Sequence, residues 1–265
     1  MAGETAPLVS FDRVGVTYPG GHVALRDVSA EFHPGEFVVV VGLSGAGKST
    51  LVRCVNRLVA PTAGTLSVLG ESVVDLPDAR LRQLRGRIGM IFQSHNLVRR
   101  SSVMRNVLAG RVARLPAWRS ALGWFPEPDM AIARQCLAQL GIAEKAWDRA
   151  DTLSGGQQQR VAIARALAQE PSILLADEPV ASLDPPTAHQ VMRDLKALAR
   201  ERNLLTLVNL HFVDMAMEYA DRVIGLRAGE KVYDGPGSTM TEADFEAIYG
   251  RKIRPDDLRG RGESA

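Results

Sequence analysis

The sequence predicts an α/β fold: a mostly parallel sheet covered on both faces, with N-terminal antiparallel strands and an inserted helical subdomain. Three observations predict it. Short apolar runs alternate with amphipathic helical stretches, the pattern of a sheet whose crossovers are helices. One run, Phe37–Val41, is apolar throughout, as a parallel strand buried on both faces requires. From residue 96 to 151 the strand signals vanish and helical stretches replace them.

Taken in order, residues 9–18 read as a strand ending at the turn Pro19-Gly20-Gly21, and 25–32 as a second strand ending at His33-Pro34-Gly35. After the strand at 37–41 comes a glycine-rich loop. A helix over 48–58 follows, with Leu51, Val52, Val55 and Leu58 on one side, and 61–64 stops it. Residues 66–68 and 88–92 are further strands. Within the helical segment, 130–140 reads as a helix capped beside Pro128-Asp129 and ended by Gly141. The alternation then returns: helix 155–168, strand 172–176, helix 186–200, strand 204–209, helix 212–219 and strand 223–227. The expected organisation is a discontinuous core (1–95 and 153–250), a helical subdomain (96–152) and a mobile tail (251–265) rich in Arg, Asp, Glu and Gly.

Composition narrows the function classes. The chain has 265 residues, 46% hydrophobic and 23% charged, as in an ordinary globular protein rather than a disordered one. Lys and Arg total 32 against 30 Asp and Glu, a net charge of +2, which gives no push toward a nucleic-acid partner. The basic stretches 80–87 and 99–105 read as solvated faces. Cys54 and Cys136 lack metal-ligand spacing and read as small core residues in a reduced compartment. No secretory signal is expected at the N-terminus, and nowhere do 18 apolar residues run together. If the protein serves transport, other chains form the pore.

The strongest motif is Gly42-Leu43-Ser44-Gly45-Ala46-Gly47-Lys48-Ser49, which fits the phosphate-binding pattern G-x-x-x-x-G-K-[ST]. Glycines let the backbone curl so that successive amides point at phosphate oxygens. The following helix adds the positive end of its dipole. Lys48 reaches the β- and γ-phosphates, the Ser49 hydroxyl ligates Mg²⁺, and Thr50 completes the nucleotide-binding set. The motif lies between a buried strand and an amphipathic helix, as its mechanism demands. Downstream, the strand at 172–176 carries Asp177 to its carboxyl end, where ligands bind in open α/β sheets. Asp177 is the second metal ligand, and Glu178 orients or deprotonates the attacking water.

Leu153-Ser154-Gly155-Gly156-Gln157-Gln158-Gln159-Arg160 opens the helix that continues through Ala166. As a helix N-terminus it is a ready anion site. With this run the chain resembles the ATP-binding cassette (ABC) family, over residues 9–235, and the run is similar to that family's signature sequence. The resemblance implies a P-loop NTPase core of the RecA type and a head-to-tail homodimer with ATP between the subunits. The phosphate loop of one copy would face Ser154, Gly155, Gly156 and Gln157 of the other. It also implies that Tyr18 stacks on adenine and that Gln93 senses the metal and the attacking water. Ser182-Leu183-Asp184 would cross the dimer interface, and His211 would contact the γ-phosphate.

A single cassette without membrane spans resembles importers more than exporters. Ile91-Phe92-Gln93 with Asn96-Leu97-Val98, Asn106 to Arg111, Asn209-Leu210-His211 and Tyr219 to Gly229 resemble the phosphonate importer subfamily. The resemblance implies an ATPase peripheral to the cytoplasmic face of the membrane, serving uptake of phosphonate or a related phosphorus oxyanion. Its partners would be an integral membrane permease and, indirectly, an extracytoplasmic solute-binding protein. The permease would dock a short helix in a groove beside Gln93, touching Leu97, Val98 and Met104. The insert's Trp118, Trp124 and Phe125 are expected to pack the helical lobe. Importers of phosphite, phosphate esters, amino acids or metal chelates stay open as alternatives. So do a non-transport cassette ATPase and a regulatory subunit that binds ATP without turnover, against which Glu178 and His211 speak.

Overall fold

The computed structural model describes residues 6–252. The expected mobile tail falls almost wholly outside these residues. Strand β1 (Val9–Thr17) turns at Pro19–Gly21 and pairs antiparallel with β2 (Val23–Phe32). Strand β3 (Phe37–Val41) leads through the glycine-rich loop into α1 (Lys48–Val55). β4 (Ala63–Val68) pairs with the other edge of β1, and the two-residue β5 (Glu71–Ser72) completes a four-stranded antiparallel sheet ordered β2-β1-β4-β5.

After α2 (Asp78–Arg85) and β6 (Ile88–Ile91) come α3 (Val103–Leu108), a 3₁₀ turn at Ala109–Arg114, α4 (Ala117–Leu122) and α5 (Glu127–Gln139). The chain then alternates: α6 (Gly155–Ala168), β7 (Ile173–Asp177), α7 (Pro185–Glu201), β8 (Leu205–Asn209), α8 (Val213–Tyr219) and β9 (Arg222–Arg227). Strand β10 (Glu230–Gly235) and α9 (Glu242–Tyr249) close the described chain. The second sheet runs β10-β9-β3-β8-β7-β6, parallel except at the β9–β10 edge.

This sheet divides the apolar interior. On β3, Phe37, Val39 and Val41 join the core built with α3, α5, α6, α7 and α8, whereas Val38 and Val40 join the core shared with α1 and the antiparallel sheet. β7 divides the same way, Leu174 and Ala176 against Ile173 and Leu175. The period of two in a fully buried strand explains why these strands read as continuous apolar runs. The interior of the helical insert is continuous with the first core, since Met104, Val107, Cys136 and Leu137 pack into it.

Several expectations need correction. Helix α1 stops at Val55, because Arg57 takes φ +52° and the Leu58 amide turns back to the Arg53 carbonyl. Leu58 is therefore exposed. Helix α5 begins at Glu127, with Pro128 inside its first turn, where a missing amide hydrogen costs nothing. Residues 80–87 are not simply a solvated face: Leu81 and Leu84 are buried, and the Arg85 guanidinium donates to the carbonyls of Asn56 and Arg57. Trp118 and Trp124 do not pack the lobe. Both are more than half exposed, with the Arg119 guanidinium about 5 Å from each ring, while Phe125 alone meets the core. Met104 is 1% exposed and cannot touch a partner in a surface groove. Among the described residues no helix is long and apolar enough to cross a membrane.

Candidate functional site

The phosphate-binding loop joins the carboxyl end of β3 to α1. Two of its glycines are demanded by geometry. Gly42 has φ +147°, and a Cβ there would lie 2.2 Å from the Leu226 carbonyl oxygen. Gly47, at φ +103°, would place a Cβ 2.3 Å from the Ala24 carbonyl oxygen. Gly47 is also the N-cap of α1, and no side chain caps that end, so the first-turn amides stay available to an anion. Lys48 is buried, and its ammonium curls back to donate to the carbonyls of Gly42 (2.8 Å) and Leu43 (3.0 Å). Burial pushes its pKa below the usual lysine range, while Glu178 and Asp177 pull it back up.

Three neighbouring parallel strands, β6, β7 and β8, bring the remaining groups to this end of the sheet. β7 delivers Asp177, whose Oδ1 accepts from Ser49 Oγ (2.8 Å) and Asn209 Nδ2 (2.8 Å). Its Oδ2 accepts from Arg53 Nε (3.0 Å) and Nη2 (2.7 Å). Glu178 follows in a left-handed backbone conformation, φ +53°, which turns it away from Asp177. Its Oε1 meets His211 Nε2 at 2.6 Å, and its Oε2 accepts from Gln93 Nε2 at 2.8 Å. Gln93 follows β6, and His211 follows β8. One carboxylate thus joins the loops after three strands.

The cavity beside Lys48 is lined by Tyr18, Ser44, Gly45, Gly47, Ser49, Thr50, Glu178 and His211, together with His22 and Ala24. Tyr18 sits at the β1–β2 turn, with its hydroxyl 3.1 Å from Thr50 Oγ1 and its ring stacked with His22 at 6.3 Å between centroids. Leu43 and Ala46 belong to the loop but do not line the cavity.

Ser154, Gly155, Gly156 and Gln157 lie elsewhere and line no part of that cavity. They form the N-terminus of α6, closed by a reciprocal cap. Ser154 Oγ accepts from the Gln157 amide (3.3 Å), and Gln157 Oε1 accepts from the Ser154 amide (3.0 Å). Asp184 caps α7 by accepting from the Thr187 amide at 3.1 Å, and that bond holds its carboxyl below the usual range.

Arg53 and His22 were not singled out from the sequence, and Asn209 was read only within the Asn209-Leu210-His211 resemblance, without a role at the site. Arg53 had one signal, its spacing of one helical turn from Ser49. His22 had none beyond its place after a turn, and Asn209, the last residue of β8, had none for its bond to Asp177. The donor set at Ser49 and Asp177 fits a small divalent cation. Both are hard oxygen ligands 2.8 Å apart, and the buried Oδ1 of Asn209 beside them has no hydrogen-bond partner.

Comparison with known proteins identifies the family. The ABC transporter family profile matches residues 25–181. A curated relative from Halalkalibacterium halodurans, "Phosphonates import ATP-binding protein PhnC 3", is 58% identical over 253 residues, 96% of this chain and 98% of its own. The structure of cbiO1 from Clostridium perfringens, part of the ABC transporter complex cbiONQ, superposes with a TM-score of 0.79 at 27% identity, covering 88% of this chain and 90% of that one. The dimeric post-hydrolysis state of the ATP-binding cassette MJ0796, bound to ADP and Pi, gives 0.73 at 33% identity, covering 86% and 98%. With the phosphate loop, the paired carboxylates and the strand order already in place, these matches show that the chain belongs to the ABC transporter family, as one of its ATPase cassettes.

Proposed function

We propose that the chain is the ATP-hydrolysing subunit of an importer for phosphonate or a related phosphorus oxyanion. The observation that carries the catalytic part is the convergence of Lys48, Ser49, Asp177, Glu178, His211 and Gln93 at the carboxyl ends of adjacent strands. The solute class rests on relatives named as phosphonate import ATP-binding proteins, 53–58% identical over 95–96% of this chain.

Residues 42–50 cradle the phosphates of ATP, and Lys48 leaves its carbonyl partners to meet the β- and γ-oxygens. Tyr18 offers a ring to the base. Ser49 and Asp177 would hold Mg²⁺, with the Gln93 side-chain oxygen as a further ligand. When bound, Mg²⁺ neutralises charge on the phosphate oxygens. Glu178, oriented by His211 and Gln93 before nucleotide binds, accepts the proton of the attacking water. His211 is left to hydrogen-bond the γ-phosphate.

The division into a core (residues 1–95 and 153–250) and a helical subdomain (96–152) belongs to this reading. A second copy, packed head to tail, brings Ser154, Gly155, Gly156 and Gln157 to the phosphates. An integral membrane permease docks on the groove lined by Leu58, Met90, Phe92, Ala109 and Arg165; Val98, 65% exposed, does not line it. A solute-binding protein outside the membrane delivers the cargo, and this subunit works at the cytoplasmic face. The test is turnover in Glu178→Gln. The variant is expected to bind ATP as the wild type does and to hydrolyse it about 10²–10⁴-fold more slowly. Unchanged turnover overturns the role given to Glu178.

A further inference from the structure

We propose that Arg53 is a positioning residue that fixes the orientation of the Asp177 carboxylate and thereby sets the site's preference for metal-bound over metal-free ATP. The proposal rests on the reading of Asp177 as a metal-holding carboxylate and assigns a further residue to that site.

Asp177 is 3% exposed, and both its oxygens are engaged from named directions. Ser49 and Asn209 take Oδ1, whereas Arg53 closes on Oδ2 with two donors, Nε at 3.0 Å and Nη2 at 2.7 Å. Ser49 and Arg53 lie one turn apart on α1, so their side chains share a helix face. A single helix, rooted at the phosphate loop, therefore grips both oxygens of the carboxylate. The terminal torsion of an Asp side chain is otherwise broad. With its Oδ2 pinned, Oδ1 is turned toward the Ser49 hydroxyl, the position from which two oxygens can share one cation.

Arg53 acts on the cation in two opposed ways. Its charge offsets that of Asp177 and repels a divalent ion, while its fork fixes the geometry that ion requires. Geometry dominates here. The Arg53 side chain is 45% exposed and its charge is screened by solvent, whereas Mg²⁺ demands near-octahedral ligands and tolerates misplacement poorly.

The experiment is calorimetric titration of the full-length chain with ATP, once with Mg²⁺ and once with EDTA, for wild type, Asp177→Asn, Arg53→Gln and Arg53→Lys. The expected result is a wild-type preference for MgATP that Asp177→Asn abolishes. Arg53→Gln should lower it about tenfold, the usual scale for groups that orient metal ligands, while affinity in EDTA stays within about twofold. Arg53→Lys keeps the charge but loses the fork, and falls between wild type and Gln. A wild-type or increased preference in Arg53→Gln, alongside its loss in Asp177→Asn, overturns the proposal and leaves the metal reading intact. Retention of the preference in Asp177→Asn overturns both. If Arg53→Gln binds ATP in neither condition, Arg53→Lys decides: a reduced preference supports the proposal and an unchanged one overturns it.

Discussion

Within α1, Lys48, Ser49 and Arg53 serve the cleft while Leu51, Val52, Cys54 and Val55 join the core beneath it. Cys54 carries the consequence for its own chemistry, because burial pushes its thiol up to about 12. The folded-state value lies above the ordinary 9.0, so the unfolded chain ionises first as pH rises. The stability this thiol contributes is whole below pH 9 and is lost as pH climbs from 9 toward 12. At pH 8 the thiolate is scarce and the sulfur inaccessible, so a thiol reagent should label Cys54 only through unfolding. Labelling of the folded protein at a rate independent of denaturant would contradict this. The same helix shows what the sequence disclosed of the site and what it withheld. Lys48 and Ser49 were legible because phosphate chemistry dictates their spacing from Gly42 and Gly47. Asp177 and Glu178 were legible because they follow an apolar strand downstream of the phosphate loop, at the sheet end where ligands bind. Arg53 was not, since an arginine one turn along an amphipathic helix looks like any solvated charge until β7 is placed beside it. Asn209 was hidden for the same reason, as its partners lie 32 and 160 residues away in sequence.

Elements communicate at the segment between β6 and α3. His95 and Asn96 are consecutive left-handed residues, φ +59° and +49°, two and three positions after Gln93. Such conformations cost on the order of 1–3 kcal/mol each and persist only where surroundings over-determine them. Here α6 supplies the constraint: Arg165 donates Nη2 to the His95 carbonyl and Nη1 to the Asn96 carbonyl, both at 2.7 Å. The 3₁₀ turn at Ala109–Arg114 lies against the same place on α6, and a Cβ on Gly110 would come within 2.2 Å of the Arg165 carbonyl oxygen. Arg165→Met keeps the length and removes the donors. It should raise amide exchange over residues 93–97 and lower kcat, because Gln93 loses its fixed approach to Glu178. ATP affinity should change less than about threefold, since Tyr18, Lys48 and Ser49 are untouched. Unaltered exchange in that segment would show that Arg165 does not hold it. The elements most legible in the sequence were those whose burial forces a pattern: β3, β7, β8 and α6 emerged from uninterrupted or helically spaced apolar residues. β10 did not, because an edge strand alternates only between exposed and half-buried positions. α2 did not, because its arginines outnumber the two leucines that anchor it.

For the molecule as a whole, the phosphate cavity and the α6 N-terminus belong to one chain but do not meet within it. A head-to-tail pair would join them, each cavity receiving Ser154 from the other copy. Substitutions that spare the fold can test this. Lys48→Ala removes the ammonium proposed to meet the phosphates without disturbing a cap, since Gly47 caps α1 without any side chain. Ser154→Asp keeps the α6 cap, because Asp serves there as well as Ser, and sets a negative charge where a phosphate would bind. Each variant alone is expected to be inactive. Mixed in equal amounts, random pairing makes half the dimers mixed, and each mixed dimer has one site of wild-type phosphate loop and wild-type signature. Turnover should recover to about a quarter of the wild-type rate if sites act independently, by pairing arithmetic for a two-fold dimer. If each chain completed its own site, both partners in the mixed dimer would stay dead and no activity would return. Recovery on mixing is therefore the outcome that only shared sites can produce, and its absence would overturn the head-to-tail arrangement of independently acting sites.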